Sequence, residues 1–153
     1  MTEIDFMNEA VSLAKEAAKE GEVPVGAVVV CNGEIVGRGK NSREKSKNAL
    51  KHAELEAINE ACARLGGWRL WKCDMYVTLE PCPMCAGAII NSRIKKLVYG
   101  AYDLKAGSCK SVVDIFSFPY NHKPEIVDGF MKEECSALLT DFFKDLRIKK
   151  AGE

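Results

Sequence analysis

The chain has 153 residues, enough for one domain with one sizeable core. Hydrophobic residues make up 47% and charged residues 29%, which is the composition of a globular chain and excludes a disordered one. Its 22 basic residues balance 22 acidic ones, so it does not coat nucleic acid by bulk electrostatics, although a local basic face stays open.

Ile4, Met7, Val11, Ala14 and Ala18 recur at three- and four-residue steps and predict an amphipathic first helix, closed by Gly21. Val25 to Cys31 and Glu34 to Gly39 flank Asn32-Gly33, the pattern of a β-hairpin. Residues 41–51 are polar and charged and read as a loop. His52 to Leu65 reads as a helix with its apolar face at Leu55, Ile58, Ala61, Cys62 and Leu65, stopped by Gly66-Gly67. Met75 to Leu79 reads as a buried strand, Pro83 to Asn91 as a helix with Pro at its start, and Lys96 to Gly100 as a second strand, parallel to the first. A short helix is expected around Val112 to Phe116, a brief strand at Glu125 to Val127, and a last amphipathic helix from Met131 to Leu146. The alternation of strands and helices predicts a layered α/β domain spanning residues 1–153.

Seven cysteines, odd in number and irregular in spacing, fit reduced thiols in a cytoplasmic protein better than a disulfide scaffold. The N-terminus carries acids before any apolar run, unlike a signal peptide, and no apolar run is long enough to span a membrane. Cys82-Pro83-Met84-Cys85 is a CxxC at a strand-to-helix junction, which alone fits a redox pair or half of a structural zinc site. The sequence holds no second CxxC. One of its two histidines, His52, opens the preceding helix and is followed two positions later by Glu54. Two helix starts can therefore supply three ligands, His52, Cys82 and Cys85, and leave a fourth position open, as in catalytic zinc sites. The helix dipoles are expected to keep the imidazole neutral and both thiols acidic. Residues two apart on a helix face different ways, which sets Glu54 beside the open position as an acid/base rather than a ligand. An ordinary first-turn glutamate is the bland alternative.

The pattern His-x-Glu followed by Pro-Cys-x-x-Cys resembles the zinc-dependent cytidine/deoxycytidylate deaminase superfamily. Further stretches resemble its bacterial tRNA adenosine deaminase branch: Glu22 to Ala27, Tyr76 to Cys82, Met84 to Ile89, Ser92 to Ile94, Tyr99 to Ala101, Asn121-His122, Glu134-Cys135 and Phe142-Phe143. The resemblance implies a three-layer, cytidine-deaminase-like fold with a central mixed five-stranded sheet flanked by helices. It implies one zinc per chain, a homodimer, and conversion of adenosine to inosine at the wobble position of a tRNA anticodon stem-loop. It also implies that Asn41, Asp103 and His122 touch the substrate. Asn41, as an amide, can donate to and accept from a base edge, or simply hold a turn. The sequence departs from the family at Ala49-Leu50-Lys51, where the family usually has Pro-Thr-Ala.

Two other readings stay open: a deaminase of free guanine or cytosine, and a zinc-stabilised binding module in which Cys73 or Cys109 would be a fourth ligand. Three basic clusters favour RNA. They are Arg43, Lys45, Lys47 and Lys51; Arg93, Lys95 and Lys96; and Lys144, Arg147, Lys149 and Lys150. Tyr102, Phe118 and Tyr120 are candidate stacking partners for splayed bases.

Overall fold

The first helix, α1 (Glu3–Lys19), is fixed at its start by Thr2 and Asp5 in the computed structural model, which describes residues 1–152. The Thr2 hydroxyl accepts from the Asp5 N–H, and the Asp5 carboxylate accepts from the Thr2 N–H at 2.7 Å. The buried stripe is rotated from the predicted one. Phe6, Met7, Ala10, Ala14 and Ala17 face inward, while Ile4 is 56% exposed. Close approach chose alanine over bulk: a Cβ on Gly26 would collide with the Ala10 carbonyl oxygen.

β1 (Gly26–Cys31) and β2 (Glu34–Lys40) form the expected hairpin. Asn32 and Gly33 both sit at positive φ, as a tight type I′ turn requires. A bulge leaves Val36 unmatched between Ile35 and Gly37. β3 (Cys73–Leu79) pairs antiparallel with β1, and β4 (Lys96–Ala101) and β5 (Glu125–Val127) follow in parallel, giving one mixed sheet in the order β2-β1-β3-β4-β5. Side chains alternate between its faces. Val28, Val30, Tyr76 and Val98 pack with α1 and α5 (Lys132–Ala151). Ala27, Val29, Met75, Val77 and Leu97 pack on the other side with α3 (Ala53–Leu65) and α4 (Pro83–Ser92). The three layers and five strands match the expected fold.

Residues 41–51 are not wholly loop. They include a one-turn helix, α2 (Arg43–Ser46). Buried Glu22 accepts the N–H groups of Glu44 at 3.0 Å and Lys45 at 2.8 Å, replacing the cap that this short turn cannot supply itself. The short helix near residue 112 is a 3-10 turn at Ile115–Ser117. No helix among the described residues is long and apolar enough to cross a membrane.

α3 is rotated like α1. Its inward face is Ala53, Glu54, Ala57, Ile58 and Ala61, and Leu65 is 45% exposed. Gly37 and Gly39 cause this. A Cβ at Gly37 would fall on the Ala57 carbonyl oxygen, and one at Gly39 on that of Ala53. The helix backbone thus lies directly on β2, and Glu54 is carried inside. Gly37→Ala should therefore destabilise the fold by about 1–3 kcal/mol through overpacking. Gly67→Ala, whose Cβ meets nothing, should stay within about 0.5 kcal/mol. Urea unfolding midpoints of the two variants check this.

Candidate active site

Two helix N-termini meet at the C-terminal end of β3. His52 is the N-cap residue of α3 and Cys82 that of α4, with Cys85 one turn further in. Both cap residues are extended, and neither side chain caps its own helix. Their donor atoms are free to point at each other. His52 Nδ1 lies 3.6 Å from Cys82 Sγ and 3.5 Å from Cys85 Sγ. A tetrahedral zinc, with bonds of about 2.3 Å to sulfur and 2.0–2.1 Å to nitrogen, separates such atoms by roughly 3.6 Å. The trio therefore fits a metal both in spacing and in its N/S donor chemistry, and Nδ1 is the imidazole nitrogen that faces the two sulfurs. Among the described residues these three make the one His/Cys/Asp/Glu cluster of that kind. Cys73 lies opposite Cys31 across β1 and β3, and neither Cys73 nor Cys109 is within reach of the trio's donor atoms.

The electrostatics correct one expectation. Cys82 is acidic, pushed down to about 4 by hydrogen bonds from Cys85 and His52 that outweigh burial. Cys85 moves the other way, held protonated by its hydrogen bond to Cys82, by burial and by Glu54. His52 is raised above its ordinary value, chiefly by Cys82, rather than kept neutral by the helix dipole. These shifts arise from the close contact of the three donors with one another, which favours protons on Cys85 and His52 beside Cys82. A cation bound by all three would displace those protons.

Glu54 is 4% exposed. Burial raises its carboxyl to about 7, and the charge of Cys82 pushes the same way. A carboxyl poised near neutrality can both take and give a proton. It touches Cys85 yet is not one of the three donors, in keeping with the role its spacing suggests.

A cavity of about 170 Å³ opens here, lined by His52, Glu54, Glu80 and Cys82 together with Val23, Val25, Asn41, Arg43, Leu79, Asp103 and Ala106. Asn41 reaches it with both ends of its amide already engaged. Its Oδ1 accepts from the Ala53 N–H at 3.0 Å, and its Nδ2 donates to the Val23 carbonyl at 3.2 Å. It holds the start of α3 in place, and one donor hydrogen and one lone pair remain. Asp103 lines the cavity too, while its Oδ1 accepts from the Lys105 and Ala106 N–H groups. His122 is elsewhere: its Nε2 lies 2.7 Å from the Ile94 carbonyl oxygen, next to the start of β4, and it does not line the cavity. Phe118 and Tyr120 are half exposed and stacked edge-on, also outside it.

Residues 1–147 match the family model of the MafB19-like deaminases. The tRNA-specific adenosine deaminase of Bacillus subtilis (strain 168) is 49% identical over 95% of this chain and 91% of its own length. The chain belongs to this deaminase family. A solved tRNA:A34 deaminase, studied for A-to-I editing at the wobble position of transfer RNA, superposes with a TM-score of 0.86 at 42% identity, covering 89% of this chain and 99% of its own. The guanine deaminase of Bacillus subtilis superposes with a TM-score of 0.66 at 33% identity, over 96% of this chain and 94% of its own. Within the deaminase family, the chain therefore sides with the tRNA enzymes over the free-base enzymes in both sequence and structure.

Sequence reasoning gave no role to Glu22 and Glu80, two buried acids with no ion-pair partner in the fold. Their signal lay in the chain, an acid within a run of apolar or β-branched residues, but their partners are backbone N–H groups that no side-chain pattern announces.

The metal assignment predicts one ion per chain in the purified protein. Elemental analysis should find His52→Ala and Cys82→Ser largely depleted, and Glu54→Ala loaded like the parent. Full loading of the first two variants would refute the assignment.

Proposed function

We propose that this chain deaminates adenosine to inosine at the wobble position of a tRNA anticodon loop, using zinc held by His52 Nδ1, Cys82 and Cys85. The observation that carries the chemistry is the buried Glu54, poised near neutrality beside three metal donors in a cavity of about 170 Å³. Zinc at such a site supplies Lewis acidity that makes water a nucleophile near neutral pH. Glu54 takes the proton that this water loses. It gives that proton to N1 of the adenine as the hydroxide adds to C6, then takes the remaining hydroxyl proton and gives it to the amino group, so that the C6–N bond breaks, ammonia leaves and inosine remains. One carboxylate serves both transfers, because its burial keeps the two protonation states close in energy.

The cavity is well under the 300–1,000 Å³ of a pocket for a drug-sized ligand. It admits a single base, so the target adenine must leave its stack and the rest of the RNA must lie outside. Arg43, at the cavity, can meet the phosphate of the inserted nucleotide. Beyond Asp103 and Ala106, Lys105 faces Arg147, Lys150 and half-exposed Phe143 of α5 across a groove of about 360 Å³. Cations beside an exposed ring suit a phosphate backbone with an unstacked base. Asn41 and Asp103 keep their proposed place beside the base. His122 is assigned only to RNA outside the cavity.

A homodimer is part of this reading. Leu50, Leu55, Ile58, Cys62, Trp68 and Ala88 form an apolar strip in a groove of about 520 Å³ along α3 and α4, bordered by polar Lys51, Glu56, Asn59 and Asn91. An apolar strip of this kind on the outer helix layer suits a second copy of the chain. The cytoplasm, where tRNA and reduced thiols coexist, is the proposed location.

Glu54→Ala should keep its metal and its fold while turnover on an anticodon stem-loop falls by about 10²–10⁴. Near-parental turnover would end the proposed proton role. Replacing Arg147 and Lys150 together by Glu should raise KM for the stem-loop and flatten the salt dependence of binding, because fewer counterions are released. Deamination of free guanine or cytosine by the parent, with none of the stem-loop, would place the chain among the free-base enzymes.

A further inference from the structure

Glu80 is the residue before Pro81-Cys82 and is 1% exposed. Its carboxylate meets no cation. Instead, five donors from one loop converge on it. Oε1 accepts the Asp103 N–H at 3.1 Å and the Ser111 hydroxyl. Oε2 accepts the N–H groups of Cys109, Lys110 and Ser111 at 3.1, 2.9 and 2.9 Å. Three successive N–H groups aimed at one oxygen form an anion nest, here filled by the protein's own side chain. The loop is pressed onto the carboxylate. A Cβ at Gly107 would collide with Glu80 Cδ, and the Ser108 N–H donates to the Pro81 carbonyl at 2.9 Å.

The two ends of this arrangement matter for the reaction. One is the strand end that leads into Cys82. The other is the loop that places Asp103 and Ala106 on the wall of the cavity, where Glu80 lies as well with both carboxylate oxygens taken up by the loop. We propose that Glu80 is a positioning residue: it fixes the loop 103–111 as a rigid wall against which the substrate base is seated, and so sets substrate affinity rather than metal binding or proton transfer. The loop has no regular ladder of its own from Asp103 to Ser111. Without the carboxylate, four of its backbone N–H groups lose their acceptor, one in a buried and three in a partly buried place, and the wall opens. Only the choice of substrate in the test rests on the tRNA reading above.

The test compares the metal-loaded parent with Glu80→Gln. The amide keeps the shape but turns an N–H₂ donor toward N–H donors. Three quantities are measured: metal content, hydrogen exchange of residues 103–111, and kcat and KM on an anticodon stem-loop. The expected result is one metal per chain, exchange about ten- to hundredfold faster in that segment, and KM raised about tenfold with kcat changed by less than about threefold. Metal loss in Glu80→Gln would overturn the proposal in favour of support for Cys82. A fall in kcat at constant KM, or unchanged exchange, would overturn it as well. Should Glu80→Gln not fold, Ser111→Ala, which removes one donor of five, must give the same pattern at smaller amplitude, and an unchanged KM and exchange in that variant refutes the role. A parent inactive on the stem-loop overturns the substrate reading instead, and the exchange data still decide whether Glu80 holds the loop.

Discussion

The contact on which the site depends is the approach of the α3 backbone to β2, made possible by Gly37 and Gly39. With side chains at those positions the helix would stand further off, or turn its Leu55 and Leu65 face to the sheet. Instead its alanines pack down, and Glu54 is drawn inside with them. Burial is what makes this carboxyl useful: in water it would be a fully ionised, weak base, and in the protein it sits near neutrality. The same seating brings His52, at the mouth of the helix, to within 3.6 Å of both sulfurs. Packing, acid/base chemistry and metal geometry thus have a common cause in two missing side chains.

Around that centre the protein meets its loops' hydrogen-bonding needs with buried polar groups. Asn41 joins the Val23 carbonyl to the start of α3, Glu22 caps α2, and Glu80 gathers the loop 103–111. Each is costly to bury unless satisfied, and each is satisfied by backbone groups that would otherwise be orphaned. The result is a small cavity with fixed walls, as a reaction needs when its transition state must be met by groups already in place. In the proposed reading, a cavity that holds one base leaves recognition of everything else in the RNA to the outer surface, where charge can contribute at long range without entering the reaction.

Much of this was legible in the chain. The hairpin follows from Asn-Gly because only residues tolerant of positive φ make that turn. The strand–helix–strand unit follows from a β-rich run, a Pro at N1 and a second run. His52, Glu54, Cys82 and Cys85 were candidates from spacing and from the family resemblance, and the fold brings all four together. What failed in α1 and α3 was the choice of inward face. Hydropathy favoured Ile4 and Leu65, but the inward face went to small residues, because the nearest neighbour is a glycine-bearing strand and distance, not bulk, limits the packing energy.

The sequence by itself determined most of the elements and the candidate donors, because these rest on local spacing and on residue chemistry that the chain states directly, and its motifs pointed to the family by resemblance. Only the tertiary structure decided that Nδ1 faces the sulfurs, that one thiol is acidic and its neighbour is not, and that Asn41 is already occupied. It also decided that His122 sits at the far end of β4 while Asp103 lines the cavity. Those facts depend on distances between segments tens of residues apart. Such distances are set by how closely backbones can approach, and that is a property of the packed chain, not of any stretch of it.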